Sequence, residues 1–255
     1  MDLIERPDNV VRRHPWEVAR VGFFIGLVER LGLTTGTGSW LDVGAGDAWL
    51  AQQLRAVLPT GDRLACWDVH YPMQRPPDEL GAIPGIEFSA TRPVGAFGGI
   101  LMLDVIEHVE DDVAFVRDVV SESLAPGGWV LVSVPAYQSL FSSHDRALKH
   151  FRRYSPRTIR NVLESSGLAV VVRGGLFHGL LPVRSAQVLR ERFRPPTATP
   201  TGIGAWGGGA RLTKTVTAVL DAETRISLAL GTRRLPPLPG LSTWALCRRA
   251  RLEHQ

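Results

Sequence analysis

Lysine is nearly missing from this sequence: Lys149 and Lys214 are its two lysines, and every other basic residue among the 29 is arginine. Guanidinium groups suit carboxylates and phosphates, but so lopsided a choice also follows from genome composition, and it selects no ligand by itself. Cysteine is as scarce. Cys66 and Cys247 lie far apart in apolar, strand-like stretches, which excludes a disulfide framework or a cysteine zinc site and marks both as buried packing residues. The seven histidines show no His-Glu-x-x-His arrangement or close pair, so no metal site is expected. No run of eighteen apolar residues occurs, mean hydropathy is +0.03, and the first ten residues lack the apolar centre of a secretion signal. A spanning helix is not expected, and a cytoplasmic location is.

What is present suffices for a folded enzyme-sized unit: 255 residues, 44% hydrophobic, fit one large domain. Charge is divided unevenly. Residues 1–140 hold 10 basic and 19 acidic side chains, whereas residues 141–255 hold 19 and 6. The basic half points to an anionic substrate, a phosphorylated lipid headgroup or nucleic acid, although ordinary surface solvation produces the same asymmetry.

Apolar residues recur at helical spacing from Pro15 to Leu33, which predicts an amphipathic helix over 15–33. Strands are expected at 39–43, 63–68, 86–89, 99–103, 129–134, 168–172 and 242–247, with helices near 47–58, 109–124 and 212–230 and another opened by Ser155-Pro156. Strands alternating with helices imply a mainly parallel sheet with right-handed crossovers. Residues 194–209, rich in Pro, Thr and Gly, read as a linker.

The strongest local signal is Gly44-Ala45-Gly46 at the end of the first strand, where glycines let backbone N–H groups approach a ligand. A dinucleotide fingerprint needs a third glycine where Trp49 stands, and no Gly-Lys-Ser/Thr follows, so NAD, FAD and P-loop nucleotides are disfavoured. Asp68 ends the second strand, where a carboxylate meets ribose hydroxyls. Together these predict a nucleoside without pyrophosphate. Asp42 and Asp68 taken singly would serve equally well as turn or cap residues; their joint register with the glycines argues otherwise.

At these positions the sequence resembles the class I S-adenosylmethionine-dependent methyltransferases, of the bacterial small-molecule or lipid-linked-glycan type. Leu41–Gly46 is similar to the first motif, Cys66-Trp67-Asp68 to the second, Leu101–Val109 to the fourth-strand motif and Leu124–Leu131 to the turn before the fifth strand. The resemblance implies an α/β Rossmann-like methyltransferase fold: a mainly parallel seven-stranded sheet, helices on both faces and a helical insertion before the last strand. It implies one domain, with an N-terminal helix in 1–38, a core at 39–173, an insertion at 174–240 and a closing strand with a basic tail at 241–255. It also implies S-adenosyl-L-methionine as cofactor. Gly44, Ala45 and Gly46 would lie beside its methionine part and Asp42 near its amino group. Asp68 and Val69 would meet the ribose, Ala90 and Thr91 the adenine, and Asp104 and Val105 the sulfonium. Ala48 stands where many members carry a further glycine. His108, after Glu107, is a candidate for catalysis or for a plain wall residue.

A second cluster spans 136–154. Its Leu-x-Ser-x-x-Asp and His-x-Arg-Arg-Tyr pattern resembles bacterial small-molecule methyltransferases, and it lies where open α/β sheets bind ligands. His144 is the candidate general base; Tyr137, Asp145, Arg152, Arg153 and Tyr154 are candidate substrate contacts. The alternative is a loop tied down by Arg–carboxylate pairs. In residues 174–192, apolar side chains interleave with arginines. This admits peripheral contact with the inner membrane face, while a lid over the cleft gives the same pattern. The expected acceptor is a small-molecule or lipid-linked hydroxyl in a biosynthetic reaction. Nucleic-acid methylation, which would lean on Arg146, Arg152, Arg153, Arg157 and Arg160, lacks an aromatic platform. A non-catalytic cofactor-binding protein is the other alternative.

Overall fold

The computed structural model describes residues 13–71, 84–194, 208–231 and 238–250. Strands β1 (Ser39–Val43), β2 (Arg63–Trp67), β3 (Ile86–Ser89), β4 (Phe97–Leu103), β5 (Leu124–Pro135), β6 (Leu168–Leu176) and β7 (Ser242–Arg249) form one sheet ordered β3-β2-β1-β4-β5-β7-β6. β1 to β5 pair in parallel, and β7 is antiparallel to both of its neighbours. The helices are α1 (Pro15–Arg30), α2 (Trp49–Val57), α3 (Asp112–Ser123), α4 (Ser143–Ala147), α5 (Pro156–Ser165), α6 (Leu180–Phe193) and α7 (Ala210–Gly231).

Alternation along the central strands sends side chains to two cores. On one face Trp40, Leu101, Leu131 and Trp244 pack with Phe23, Phe24 and Leu27 of α1 and Leu54 of α2. On the other, Leu41, Ile100, Val130 and Cys247 pack with Val116 and Val119 of α3 and Ile159 and Leu163 of α5. Both cysteines are free and fully buried, as their surroundings in the sequence implied.

Several boundaries differ from the sequence reading for identifiable reasons. β6 runs to Leu176 instead of 172, because Gly174 and Gly175 admit close neighbours. A Cβ on Gly174 would lie 2.6 Å from the Trp244 ring, and one on Gly175 would strike the Leu238 carbonyl. β4 likewise starts earlier, at Phe97, and Gly99 lies under Trp129. The helix expected from 109 starts later: a 3-10 turn at Ile106–His108 precedes it, and α3 starts after Asp111, whose carboxylate accepts the Ala114 N–H at 2.9 Å. β5 extends back to Leu124, through the expected Pro-Gly turn. Most of the linker at 194–209 and of the basic tail lies outside the described residues.

Candidate functional site

A cleft of about 840 Å³ opens at the carboxyl ends of β1, β2 and β4. Its sheet-side wall is built by short-range sequence. Gly44 turns the chain at φ +64°, and a Cβ there would lie 2.8 Å from Val105 Cγ2, so the β1 and β4 ends approach only because the side chain is missing. The Gly46 N–H donates to Asp68 Oδ2 at 2.9 Å, while Asp68 Oδ1 accepts the His70 N–H at 2.9 Å. Asp68 thereby ties the glycine turn to the end of β2. Ala48 adopts φ +54° and is fully buried, so alanine occupies a left-handed position that glycine would take without strain. Asp42 is buried, and its Oδ2 has no hydrogen-bond partner among the described residues. Burial, with Asp68 and Asp47 adding negative charge, raises its pKa to about 7 against the pull of Arg20.

The facing wall is assembled from distant segments. Ser142 caps α4 in a reciprocal box with Asp145, and this turn presents His144 to the cleft. Asp145 is fully buried and accepts from Arg153 Nε at 2.6 Å; its Oδ1 also lies 3.1 Å from His150 Nδ1, and Arg184 of α6 lies 3.5 Å from Oδ2. Burial alone would raise the Asp145 carboxyl, but the His150 hydrogen bond and the Arg153 guanidinium hold it well below the usual range. For His144, burial and then the Arg184 charge push the pKa down to about 4, so its imidazole is neutral at pH 7. Arg153, Arg184, Lys149, His108 and His150 all line this wall.

α1 forms a third side, for which the sequence predicted only an amphipathic helix. Arg20 forms an ion pair with Asp104 and stacks 4.8 Å from the centroid of Trp16, one turn earlier. Asp104 itself adopts φ +59° and accepts from Ser133 Oγ at 3.3 Å. The signal that could have found Arg20 is its i,i+4 spacing from Trp16 on one helix face. Glu107 was read from the sequence only beside His108, and Arg184 only among the arginines of 174–192, neither with a role in the cleft.

Of the residues that were, Asp42, Gly44, Ala45, Asp68, Val69, Asp104, Val105, His108, His144 and Arg153 share the cleft lining. Gly46 stands behind it through Asp68, and Asp145 behind it through Arg153. The others do not join them. Tyr154 is buried, with its hydroxyl donating to Asp112 Oδ2 at 2.7 Å; Arg152 pairs with the same carboxylate at 3.0 Å; Tyr137 bonds through its backbone N–H to the Tyr154 carbonyl. For these three the tied-down loop is the arrangement found. Ala90 and Thr91 follow β3, outside the lining, and Thr91 accepts from Ser89 Oγ through its carbonyl.

Set beside known proteins, residues 19–172 match the model of the methyltransferase domain family. The chain belongs to this family. It is a class I, S-adenosylmethionine-dependent methyltransferase, in keeping with the glycine turn and the acid at the end of β2. The fold is similar to those of solved structures at low identity. The [4+2]-cyclase SpnF is 17% identical with a TM-score of 0.57, over 95% of this chain and 86% of that one. Coclaurine N-methyltransferase is 13% identical with a TM-score of 0.56, over 91% and 71%. An S-adenosylmethionine-dependent methyltransferase from Mesorhizobium loti is 14% identical with a TM-score of 0.52, over 88% and 98%. A search of curated protein sequences finds no significant match. No helix of the described residues is long and apolar enough to cross a membrane.

Proposed function

We propose that the methyltransferase acts on an oxygen of a small, anionic acceptor, with its cofactor on the sheet-side wall and the acceptor against the basic wall. The observation that carries this reading is the convergence of His144, Arg153 and Arg184 on the cleft that also contains Gly44 and Asp68. On the cofactor side, the unpartnered Oδ2 of Asp42 suits an ammonium group, and Arg20 suits the carboxylate beside it. Asp68 suits a ribose diol, and Gly44 leaves room for the backbone to approach. Asp104 and Val105 border the reacting centre.

Bound S-adenosylmethionine supplies an electrophilic methyl group on a sulfonium that is already a good leaving group. The chain's contribution is therefore alignment, exclusion of water and custody of one proton. α1 and α6 close two sides of the cleft, Arg153 and Arg184 orient an anionic acceptor, and neutral His144 accepts the hydroxyl proton. Calorimetric titration with S-adenosylmethionine, with NAD as control, tests the cofactor side. His144→Gln should lower kcat about 100-fold with KM little changed; an unaltered kcat would remove the base assignment.

A lipid-linked acceptor is the second reading, favoured by Val183, Leu189 and Phe193, which are 53%, 54% and 80% exposed on the helix that supplies Arg184. Co-sedimentation with anionic vesicles separates it from a freely diffusing acceptor. Nucleic-acid methylation has less support, since Arg152 and Arg160 are engaged with Asp112 and Glu164. The non-catalytic alternative is excluded by turnover on any acceptor.

A further inference from the structure

Glu107, His108 and His150 stand together on the basic wall, with one ligand atom from each lying within 4.8 Å of the others. We propose that these three side chains bind a divalent transition-metal ion whose open coordination positions face the cleft. The first support is Glu107. It is fully buried, it lines the cleft, and neither carboxylate oxygen has a hydrogen-bond partner among the described residues. A buried carboxyl left with nothing to bond is costly, and an ion entering from the cleft would satisfy both oxygens. Asp145, equally buried and nearby in the fold, needs no such ligand because His150, Arg153 and Arg184 already surround it.

The second support is the direction of His150. Its Nδ1 lies 3.1 Å from Asp145 Oδ1, and a carboxylate held by two arginines acts as acceptor, which in the neutral imidazole assigns the proton to Nδ1 and leaves the Nε2 lone pair for a ligand. Carboxylate, imidazole and metal in that order is the arrangement that orients a ligating histidine. The His108 ring stands edge to face with His150, centroids 4.6 Å apart. The two halves are stapled by the Phe151 N–H, which donates to the Glu107 carbonyl at 2.8 Å. Metal–ligand bonds of about 2.0–2.2 Å require these side chains to close by roughly an ångström. His108 and His150 are distant in sequence, so no spacing motif announces them, and the expectation of no metal site came from that spacing.

Two imidazole nitrogens and one carboxylate favour zinc, manganese or ferrous iron over calcium or magnesium, which take oxygen ligands. Three protein ligands leave room for exogenous oxygen. Resting on the proposed methyl-transfer reading, that room would be filled by an acceptor with two neighbouring oxygens, one of them the hydroxyl to be methylated, polarised by the ion.

The test is calorimetric titration of the full-length, chelator-treated protein with zinc chloride and, separately, manganese chloride, in the absence of S-adenosylmethionine. One ion per chain is expected, with affinity falling about 100-fold in His108→Ala and in His150→Ala and at least about 10-fold in Glu107→Gln. Circular-dichroism melting checks each variant's fold. His150→Ala also removes a partner of Asp145, so if it fails to fold, His108→Ala decides. Absence of binding to the parent protein, or binding that survives His108→Ala unchanged, overturns the site. S-adenosylmethionine titrated into the same preparation is a separate readout: cofactor binding without metal binding sinks the ion alone, and metal binding without cofactor binding sinks the methyl-transfer reading alone.

Discussion

On the sheet-side wall Asp42 is buried with one carboxylate oxygen unpartnered and a pKa raised to about 7, whereas across the cleft Asp145 is buried among His150, Arg153 and Arg184 and stays ionised. Burial is common to both, so partners decide the charge state. Asp145 is built into the protein's own structure. Asp145 thus has its partners within the protein, whereas Asp42 has none for its Oδ2 among the described residues, the feature on which the proposed cofactor side rests.

The largest effect is expected at Asp145. Asp145→Ala leaves Arg153 and Arg184 without their buried counter-charge and should cost about 3–5 kcal/mol of stability in urea unfolding. A loss below that of an ordinary surface substitution would mean the network is not structural. Asp42→Asn should behave in the opposite sense. With a folded pKa near 7 against an ordinary value of 3.8, the folded state holds more protons between those limits. Its stability is then fullest below about pH 4 and falls as pH rises toward 7, by up to about 1.4 kcal/mol per pH unit. Asp47 and Asp68 deepen this penalty and Arg20 relieves it. Without ligand, the Asp42→Asn variant should lose that component of the slope; identical slopes in parent and variant would show that Asp42 stays ionised.

Next in size is Asp68→Ala, which should weaken S-adenosylmethionine binding by about 1.5–3 kcal/mol, read by calorimetry, because a charged hydrogen-bond acceptor is lost. Unchanged affinity would remove Asp68 from the cofactor wall. The same change also frees the Gly46 N–H, so a melting curve must accompany the titration to keep turn and ligand effects apart.

The two walls also differ in how far the sequence discloses them. The sheet-side wall was legible because its parts are local: a glycine turn at a strand end, an acid ending the next strand and Asp104 ending β4 are placed by the β-α alternation itself. The mainly parallel seven-stranded sheet follows from the same regularities and the family resemblance, whereas the strand order and the antiparallel pairing of β7 come from the structure. The facing wall was legible only in part. His144 and Arg153 were named, but Arg184 reaches Asp145 from the insertion, 39 residues away in sequence, a contact that no short-range pattern encodes. Tyr154 was misjudged for the converse reason. Its place in a polar motif suggested a ligand, while the fold turns the ring inward.

Tyr154→Phe therefore gives the smallest and most selective effect. The single phenol proton goes mainly to Asp112 Oδ2 at 2.7 Å, with the Ile106 carbonyl 3.2 Å away, and Arg152 still pairs with Asp112 when the hydroxyl is gone. Because the carboxylate keeps a partner and phenylalanine fills nearly the same volume, the loss should be about 1 kcal/mol in urea unfolding, the usual net worth of one hydrogen bond. S-adenosylmethionine affinity and KM for an acceptor should stay within about twofold, since that interval is only about 0.4 kcal/mol in free energy. A raised KM with unaltered stability would put Tyr154 back against the substrate. It would also imply that the segment 136–154 can swing its inner face toward the cleft, so that this wall would itself be rebuilt on binding.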